Sequence, residues 1–318
     1  MPASDAEQSP LNASVAPAES LAPVTGGKNK HAGERAASAG TQAQGRATRG
    51  VVATSSTPAR CYLSLIIPAY NEEKRLPATL ERIVEYLALR DFSYEVIVVD
   101  DGSRDATREV VRSFGAQRSW IRLESYDDDE GHPLNRGKGY AVRHGVLNAW
   151  GRDVLFSDAD LSTPIEEMEK LLPPISRGTC DITIASRALP ESNLAVHQPW
   201  YREWMGRTFN KFVQRVIETD IVDTQCGFKA FRGDVAKNIF SLAQIDGFGF
   251  DTEILFLAQK FGYRVREIPV TWQHRDDSRV SPLIAPFQMI SELLQVRLND
   301  IRGLYDEEDR QSEAVESI

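Results

Sequence analysis

Several features that mark whole classes of protein are scarce or missing in this 318-residue sequence. The three cysteines, Cys61, Cys180 and Cys226, lie far apart and form no CxxC pair, which argues against a disulfide framework or a zinc site and fits a reduced cytosol. No apolar run reaches the roughly 18 residues of a membrane-spanning helix, and the N-terminus lacks the apolar core of a signal peptide. No Lys/Arg block accompanies the net charge of −9, so we expect no nucleic-acid partner.

Both ends of the chain differ in composition from its middle. Residues 1–58 are rich in Ala, Ser, Gly, Thr and Pro and contain no aromatic residue, and residues 306–318 carry six acids and one arginine. Such segments bury too little apolar surface to offset the entropy lost on folding. We therefore predict disordered tails at 1–58 and 306–318 and one folded domain over residues 60–305. The first tail is either dispensable or a docking segment.

Apolar runs alternate with amphipathic stretches in the first half of that domain. The predicted strands cover residues 62–69, 94–101, 120–125 and 153–160, and the predicted helices cover 71–89, 103–114 and 137–150. The strand patterns are runs of apolar residues rather than an alternation of apolar and polar ones, which is typical of a mostly parallel sheet covered by helices on both faces, an α/β fold. The second half is less regular, with predicted strands at 180–187 and 263–275 and predicted helices at 201–217 and 281–304.

Polar motifs follow three of these strands, at the sheet edge where parallel α/β proteins bind ligands. PAYNEE (68–73) follows the first strand, with Asn71 as a candidate helix cap, and VVDDGS (98–103) closes the second. A carboxylate there can accept hydrogen bonds from a base or a ribose, although a plain turn or helix cap also explains both motifs. In NRGKGYA (135–141), the glycines let the backbone approach a ligand and Lys138 adds a positive charge, although a tight glycine entry to a helix explains this motif as well.

DAD (158–160) carries the strongest signal of the four motifs. Residues two apart on an extended chain point the same way, so Asp158 and Asp160 bring two negative charges together. Two like charges at such a short separation are energetically unfavourable unless a cation lies between them. Carboxylate oxygens are suitable ligands for Mg²⁺ or Mn²⁺. The alternative is a solvated loop with two acids. Together, the motifs predict a site for a nucleotide diphosphate.

These four motifs, in this order, resemble those of the inverting GT-A glycosyltransferases of family 2. The likeness continues through ASR (185–187), DTQCGFKAF (223–231), FGFDTEIL (248–255) and PVTWQHRDDSRV (269–280). It is greatest to the dolichyl-phosphate β-glucosyltransferase group and its polyprenyl-phosphate relatives. The resemblance implies a GT-A fold with a nucleotide-sugar half at 60–160 and an acceptor half at 161–305. It also implies transfer of glucose from UDP-glucose to a dolichyl-type polyprenyl phosphate, with inversion and with Mg²⁺ or Mn²⁺ as cofactor.

The resemblance also implies a role for each residue that matches a motif. The nucleotide sugar would lie against Pro68, Ala69, Tyr70, Glu72, Asp100, Asp101, Lys138 and Asp158. The metal would be held by Asp158 and Asp160, and the acceptor would lie against Ser186, Arg187, Gln225, Cys226, Gly227 and Lys229. The catalytic set would be Asp160, Asp251, Glu253, Arg275 and Arg279. Ser162 stands where relatives with a mannosyl donor often carry a glutamine ligand.

Other interpretations stay open at this point. The donor could be GDP-mannose or another nucleotide sugar, and the acceptor could be a hydroxyl, which would need Asp251 or Glu253 as a base. A phosphate acceptor is already ionised and needs cations instead, because its second pKa is roughly 6. The chain could also be a non-catalytic nucleotide-binding protein. A lipid acceptor implies a cytoplasmic protein in peripheral contact with the membrane. Residues 281–304 offer an apolar face for this contact. The alternative is that this face packs on the domain. The sequence does not indicate an oligomeric state.

Overall fold

The structure is a computed structural model that describes residues 61–194, 211, 213–273 and 285–306. The described residues belong to one of two compact units of the chain, the unit formed by residues 53–318. Several predictions fall outside the described residues. They are the tail at 1–58, the tail at 306–318 apart from its first residue, most of the helix at 201–217, and the roles of Arg275 and Arg279.

A seven-stranded sheet lies at the centre of the described unit. Its strands are β1 (Cys61–Ala69), β2 (Tyr94–Asp100), β3 (Ile121–Ser125), β4 (Gly151–Ser157), β5 (Ile182–Ser186), β7 (Phe228–Arg232) and β8 (Val265–Pro269). They lie in the order β3-β2-β1-β4-β7-β5-β8, and every neighbouring pair is parallel except that β7 runs antiparallel to β4 and β5. Two short strands, β6 (Asn193–Leu194) and β9 (Thr271–Trp272), pair separately. The predicted mostly parallel α/β sheet is thus confirmed.

Helices cover both faces of this sheet. They are α1 (Leu76–Leu87), α2 (Thr107–Gln117), α3 (Lys138–Leu147), α4 (Met168–Ser176), α5 (Gly233–Leu242), α6 (Phe250–Lys260) and α7 (Ala285–Ile301). Successive strand residues point to opposite faces, so β1 contributes to two separate cores. Leu65 and Ile67 pack with residues of α1 and α4, whereas Ile66 packs with residues of α3, α5 and α6. This two-sided burial is the reason that most positions of β1 and β2 are apolar.

The direction of each strand decides which loops meet. The carboxyl ends of β1, β2, β3 and β4 lie at one edge of the sheet because these strands are parallel. Strand β7 is reversed, so its first residue, Phe228, pairs with Ser157 at the end of β4. The segment before β7 therefore reaches the same edge as the residues after β4. Among the described residues, no helix combines the length and apolarity needed to cross a bilayer.

Candidate active site

The loops after β1 and β2 are joined by direct hydrogen bonds. The backbone N–H of Asn71 donates to the Ser103 hydroxyl (2.8 Å), and its side-chain oxygen accepts from the N–H of Arg104 (2.8 Å). Asn71 has φ of 54°, a left-handed conformation that asparagine tolerates better than most residues. The expected helix cap is therefore wrong: α1 begins five residues later, and Asn71 instead fixes one loop against the other.

The two aspartates at the end of β2 both bind protein groups. Buried Asp100 accepts hydrogen bonds from the N–H of Ser103 (3.2 Å) and from Arg108 Nε (2.5 Å). Asp101 accepts from the Tyr126 hydroxyl (2.6 Å) and from the N–H groups of Arg136 and Gly137 (2.8 and 3.0 Å). Burial raises the pKa of Asp101, although these hydrogen bonds oppose the shift. Both carboxylates thus help to hold the shape of the loops. The predicted contact of Asp100 and Asp101 with the nucleotide stays a prediction.

The other predicted nucleotide-binding residues lie at the end of β1. Pro68 and Ala69 are its last two residues and pair with Val99 and Asp100 of β2. Tyr70 follows with an exposed side chain, and buried Glu72 forms an ion pair with Arg75 (2.5 Å). Tyr70 is therefore the member of this group whose side chain is available to a ligand.

Lys138 is the first residue of α3 and points towards the DAD motif. Its Nζ lies 2.7 Å from Asp158 Oδ1 and 5.8 Å from the centre of the Phe250 ring. Burial alone would lower the pKa of Lys138, but Asp158, Asp251 and Asp160 raise it above its ordinary value. The adjacent glycines allow close packing within the protein, and their predicted approach to a ligand stays a prediction. A Cβ at Gly137 would lie 2.5 Å from the Asp246 carbonyl oxygen, so the loop packs against protein backbone.

The two DAD carboxylates are accessible, and their surroundings suit a divalent cation. Asp158 has a 37% exposed side chain, and Asp160 is half-buried and accepts the N–H of Ser162 (2.8 Å). A Cβ at Gly227 would overlap the Asp158 carboxylate, so the glycine before β7 creates the space that this carboxylate fills. Leu161, the next residue, has φ of 48°, and such backbone strain clusters at functional sites. Hard oxygen donors in an open cradle fit Mg²⁺ or Mn²⁺.

A buried ion pair lies behind the DAD motif. Lys229, on β7, is fully buried, and its Nζ bonds to the Cys226 carbonyl oxygen (2.8 Å) and to Asp251 Oδ1. Asp251 lies in the first turn of α6, where the helix dipole stabilises a negative charge. Burial raises the pKa of Asp251, and the charges of Lys229 and Lys138 oppose that shift. The structure thus brings Asp251, Lys229, Lys138 and Asp158 into one charged cluster.

Glu253 faces a different part of the protein from Asp251. Residues two apart on a helix point about 200° from each other. The Glu253 carboxylate accepts the N–H groups of Gln244 and Ile245 (2.8 and 2.9 Å) and the Tyr305 hydroxyl (2.6 Å). Of the two predicted catalytic acids on α6, only Asp251 therefore joins the cluster, and Glu253 supports the loop that precedes α6.

Arg187, at the end of β5, is held by a single carboxylate. Its Nε and Nη2 bond to Asp223 Oδ2 and Oδ1 (2.7 and 2.8 Å), and its N–H bonds to Oδ2 (2.8 Å). Burial alone would raise the pKa of Asp223, but Arg187 brings it below its ordinary value. The guanidinium lies 5.6 Å from the Trp272 ring centre. This two-point contact with Asp223 fixes the orientation of the guanidinium, and its predicted contact with the acceptor phosphate stays a prediction.

The remaining predicted acceptor residues are largely enclosed. The Ser186 hydroxyl is buried and makes no hydrogen bond within the described part of the chain. Gln225 donates to the Thr252 hydroxyl (3.1 Å). Cys226 Sγ lies 3.8 Å from Thr163 Oγ1, and burial raises the pKa of this thiol to about 11, so it is no nucleophile. Gln225 and Cys226 are thus held by protein groups, and their predicted contact with the acceptor stays a prediction.

Sequence reasoning missed several residues that shape this site. Tyr126 and Arg108 hold the β2 aspartates, Asp223 orients Arg187, and Glu292 of α7 accepts the N–H of Gly249 (2.6 Å) before α6. Tyr126 could have been found, because it directly follows β3 at the same edge. Arg108 follows Asp100 by eight residues, but a single arginine in an amphipathic helix gives no specific signal. Asp223 and Glu292 lie 36 and 43 residues from their partners, so the sequence gives no local signal for them. An exposed trio that could hold a metal, Asp128, Glu130 and His132, lies in the loop after β3.

Comparisons with known proteins agree with this geometry. Residues 64–240 match the profile of Glycosyl transferase family 2. The "Dolichyl-phosphate beta-glucosyltransferase" of Dictyostelium discoideum is 36% identical over 255 residues, which cover 77% of this chain and 76% of that protein. The human protein of the same name is 35% identical over 257 residues, covering 76% of this chain and 77% of that one.

A solved structure shows the shared fold. It is glucosyl-3-phosphoglycerate synthase from Mycobacterium tuberculosis, in complex with Mn²⁺, UDP and glucosyl-3-phosphoglycerate. The TM-score is 0.55 at 20% identity, over 74% of this chain and 80% of that one. With the profile match and the relatives above, this chain belongs to glycosyl transferase family 2 and is a glycosyltransferase with the GT-A fold.

Proposed function

We propose that this protein transfers glucose from UDP-glucose to a dolichyl-type polyprenyl phosphate, with inversion at the anomeric carbon. The observation that carries the proposal is the likeness to dolichyl-phosphate β-glucosyltransferases, which extends over three quarters of both chains at 31–36% identity. The charged cluster at the sheet edge supports it, because it offers carboxylates for a cation and cations for phosphates.

The charged residues suggest how the donor is held. Asp158 and Asp160 would bind Mg²⁺ or Mn²⁺, which when bound supplies Lewis-acid stabilisation of the diphosphate leaving group. Lys138 adds a positive charge beside them, on a loop that Asp101 fixes through two backbone N–H groups. The exposed Tyr70 side chain is available to contact the nucleotide.

The reaction is a single displacement. An oxygen of the acceptor phosphate attacks the anomeric carbon, the new carbon–oxygen bond forms, and the bond to UDP breaks with its electron pair leaving on the diphosphate. A phosphate monoester needs no general base near neutral pH, because its second pKa is about 6. Arg187, oriented by Asp223, would guide the acceptor phosphate, and Asp251, held by Lys229, would orient the sugar hydroxyls.

One observation favours a hydroxyl acceptor as the second candidate. Burial raises the pKa of Asp251, and a raised carboxylate pKa suits a general base. In that case Asp251 would take the proton of the attacking hydroxyl, and transfer would not require a lipid phosphate.

The deciding experiment is transfer of radiolabelled sugar to a short-chain polyprenyl phosphate with Mn²⁺ or Mg²⁺. UDP-glucose and GDP-mannose are compared as donors, with Asp160→Ala as the control. We expect a lipid-soluble product from UDP-glucose that the variant does not form. Product from GDP-mannose alone would mean that the donor is GDP-mannose and not UDP-glucose. Metal-dependent hydrolysis of UDP-glucose without lipid product would favour the hydroxyl acceptor.

We also propose that the protein contacts the cytoplasmic face of a membrane through α7. Leu294, Leu298 and Ile301 recur on one side of this helix and are 50%, 49% and 80% exposed, whereas Leu293 and Val296 are buried in the core. A lipid acceptor would account for this exposed apolar face, because an interfacial helix buries such a face at the membrane surface. Leu298→Glu with Ile301→Glu should reduce co-sedimentation with phosphatidylcholine–phosphatidylserine vesicles, and Ser291→Glu should not. Equal binding by both variants would refute the role of α7.

A further inference from the structure

We propose that Lys138 competes with a divalent cation for Asp158, so that the metal binds tightly only together with the nucleotide diphosphate. This inference rests on the proposed function, because it assumes a metal-dependent nucleotide-sugar donor. It assigns Lys138 a role in coupling metal binding to donor binding, in addition to any contact with the donor.

The ion pair between Lys138 and Asp158 is direct and partly shielded. Lys138 Nζ lies 2.7 Å from Asp158 Oδ1, and the two side chains are only 20% and 37% exposed. Screening by water is weaker at such a site than on an open surface, so the pairing has energetic weight. A cation that binds Asp158 must therefore displace the ammonium or lie beside it.

The backbone holds this ammonium close to Asp158. Lys138 follows Gly137, whose N–H is bound by Asp101, and Gly137 packs on the carbonyl oxygen of Asp246. The first residue of α3 consequently has a fixed position, and only the flexible lysine side chain can move. Competition at Asp158 is thus a property of the folded loop and involves no rearrangement of backbone.

A charge count of the cluster indicates when the metal can enter. Asp158, Asp160 and Asp251 supply three negative charges, and Lys138 and Lys229 supply two positive ones, which leaves −1. A dication alone would turn this to +1 and would lie against the ammonium, which like-charge repulsion disfavours. The diphosphate of a nucleotide sugar carries two negative charges, so its arrival with the metal returns the cluster to −1, and UDP, whose terminal phosphate has a second pKa of roughly 6, brings it to about −2. The diphosphate also provides phosphate oxygens that the displaced Lys138 can bind.

The experiment measures Mn²⁺ binding by electron paramagnetic resonance, with the full chain, in the presence and absence of UDP. For the wild type we expect UDP to lower the Kd for Mn²⁺ by at least about tenfold, roughly 1.4 kcal/mol. Lys138→Met should bind Mn²⁺ without UDP about tenfold more tightly than the wild type, and UDP should then help less. Asp158→Asn in the Lys138→Met background should abolish the gain.

Two matched variants separate charge from a general effect of mutation. Lys138→Arg keeps the positive charge, so Mn²⁺ binding without UDP should stay weak. Arg136→Met removes a positive charge two residues away, but Arg136 pairs with Asp246 (3.1 Å) and not with Asp158, so it should behave as the wild type. If Arg136→Met also tightened Mn²⁺ binding, a loss of net positive charge would explain the result and the competition would be refuted.

The outcomes distinguish this inference from the proposed function. Equal Mn²⁺ affinity of the wild type with and without UDP would overturn the inference, even if Lys138→Met failed to fold. Unchanged Mn²⁺ affinity in a folded Lys138→Met protein would overturn it as well, and would leave Lys138 as a donor ligand. If the wild type bound neither UDP nor Mn²⁺, the proposed function would fail first.

Discussion

The loops that follow β1, β2 and β3 use their polar side chains differently from the residues around β4, β5 and β7. In the first region, carboxylates and amides mostly bind backbone N–H groups and hydroxyls, as Asp101 binds Gly137 and Tyr126. In the second region, three carboxylates lie against cations, whereas Asp160 accepts the N–H of Ser162. The three pairs are Asp158 with Lys138, Asp251 with Lys229, and Asp223 with Arg187.

This difference matches what each region has to do. Hydrogen bonds from fixed N–H groups are directional, so they hold the first three loops in one shape. We expect the pair of Lys138 and Asp158 to change partners when a charged ligand arrives, whereas Asp223 holds Arg187 and Lys229 holds Asp251 in place. The sheet edge therefore joins a rigid frame to a set of charges that can respond to a diphosphate and a phosphate.

Breaking the most deeply buried pair should give the largest effect. Lys229→Met leaves Asp251 without its main partner in a site closed to water, and removing one member of a buried pair typically costs about 3–5 kcal/mol. We expect a loss of this size in the free energy of unfolding, measured by urea titration. The double variant Lys229→Met with Asp251→Asn should recover much of it, because no unpaired charge remains.

A matched control tests whether burial of the pair causes the effect. Arg232 is a more exposed cation on the same strand and pairs with Asp181 and Asp234. Changing Arg232 to Met should lower the free energy of unfolding by less than about 1 kcal/mol. A double variant no more stable than Lys229→Met alone would contradict the proposed source of the loss.

The next largest effect separates the two acids of α6. With both substrates saturating, Asp251→Asn should lower kcat by about 100-fold, roughly 2.7 kcal/mol, because it removes a charge from the cluster beside Lys138. Glu253→Gln should lower the stability instead and change kcat by less than about tenfold, since its carboxylate binds N–H groups and Tyr305. If Asp251→Asn kept near wild-type kcat, Asp251 would have no part in the chemistry.

Much of this architecture is readable in the sequence, for a physical reason. A strand buried on both faces is mostly apolar, so β1, β2 and β4 appear in the sequence as apolar runs, and these strands and β3 were predicted within three residues at each end. Parallel strands then bring their following motifs to one edge. Helix α4 was not predicted, because Pro173 and Pro174 lie inside it and proline argues against a helix interior.

The details that the sequence could not supply depend on long-range geometry. A five-residue strand carries no signal of its direction, so the reversal of β7, which puts Gly227 against Asp158, could not be predicted. In the sequence FDTE, Asp251 and Glu253 look equally suited to catalysis. Only the orientation of the folded helix shows which of the two carboxylates faces the charged cluster. Arg187 and Asp223 are 36 residues apart, and only the fold makes them partners.

Weakening the rigid frame should have a smaller effect than breaking a buried pair. Asp101→Asn replaces one carboxylate oxygen by an NH₂ group, which faces donors from Tyr126, Arg136 or Gly137. An unmet buried hydrogen bond costs about 1–3 kcal/mol, so the native conformation of the loop before α3 should be destabilised by this amount. We expect a higher KM for the donor with a smaller change in kcat, and an unchanged KM for the acceptor. A selective change in kcat would contradict a purely positioning role.

The smallest effect should come from Ser186, which the resemblance places near the acceptor phosphate. Its hydroxyl is buried at the end of β5 and has no hydrogen-bond partner in the part of the chain that the structure describes. Removing a buried hydroxyl without a partner relieves a desolvation cost, so Ser186→Ala should be neutral or stabilising by up to about 1 kcal/mol. The KM for the acceptor should not change, whereas Arg187→Met should raise it. A higher acceptor KM in Ser186→Ala would mean that the hydroxyl turns to meet the phosphate, and the ion-paired region would then also recognise its ligand through a neutral group.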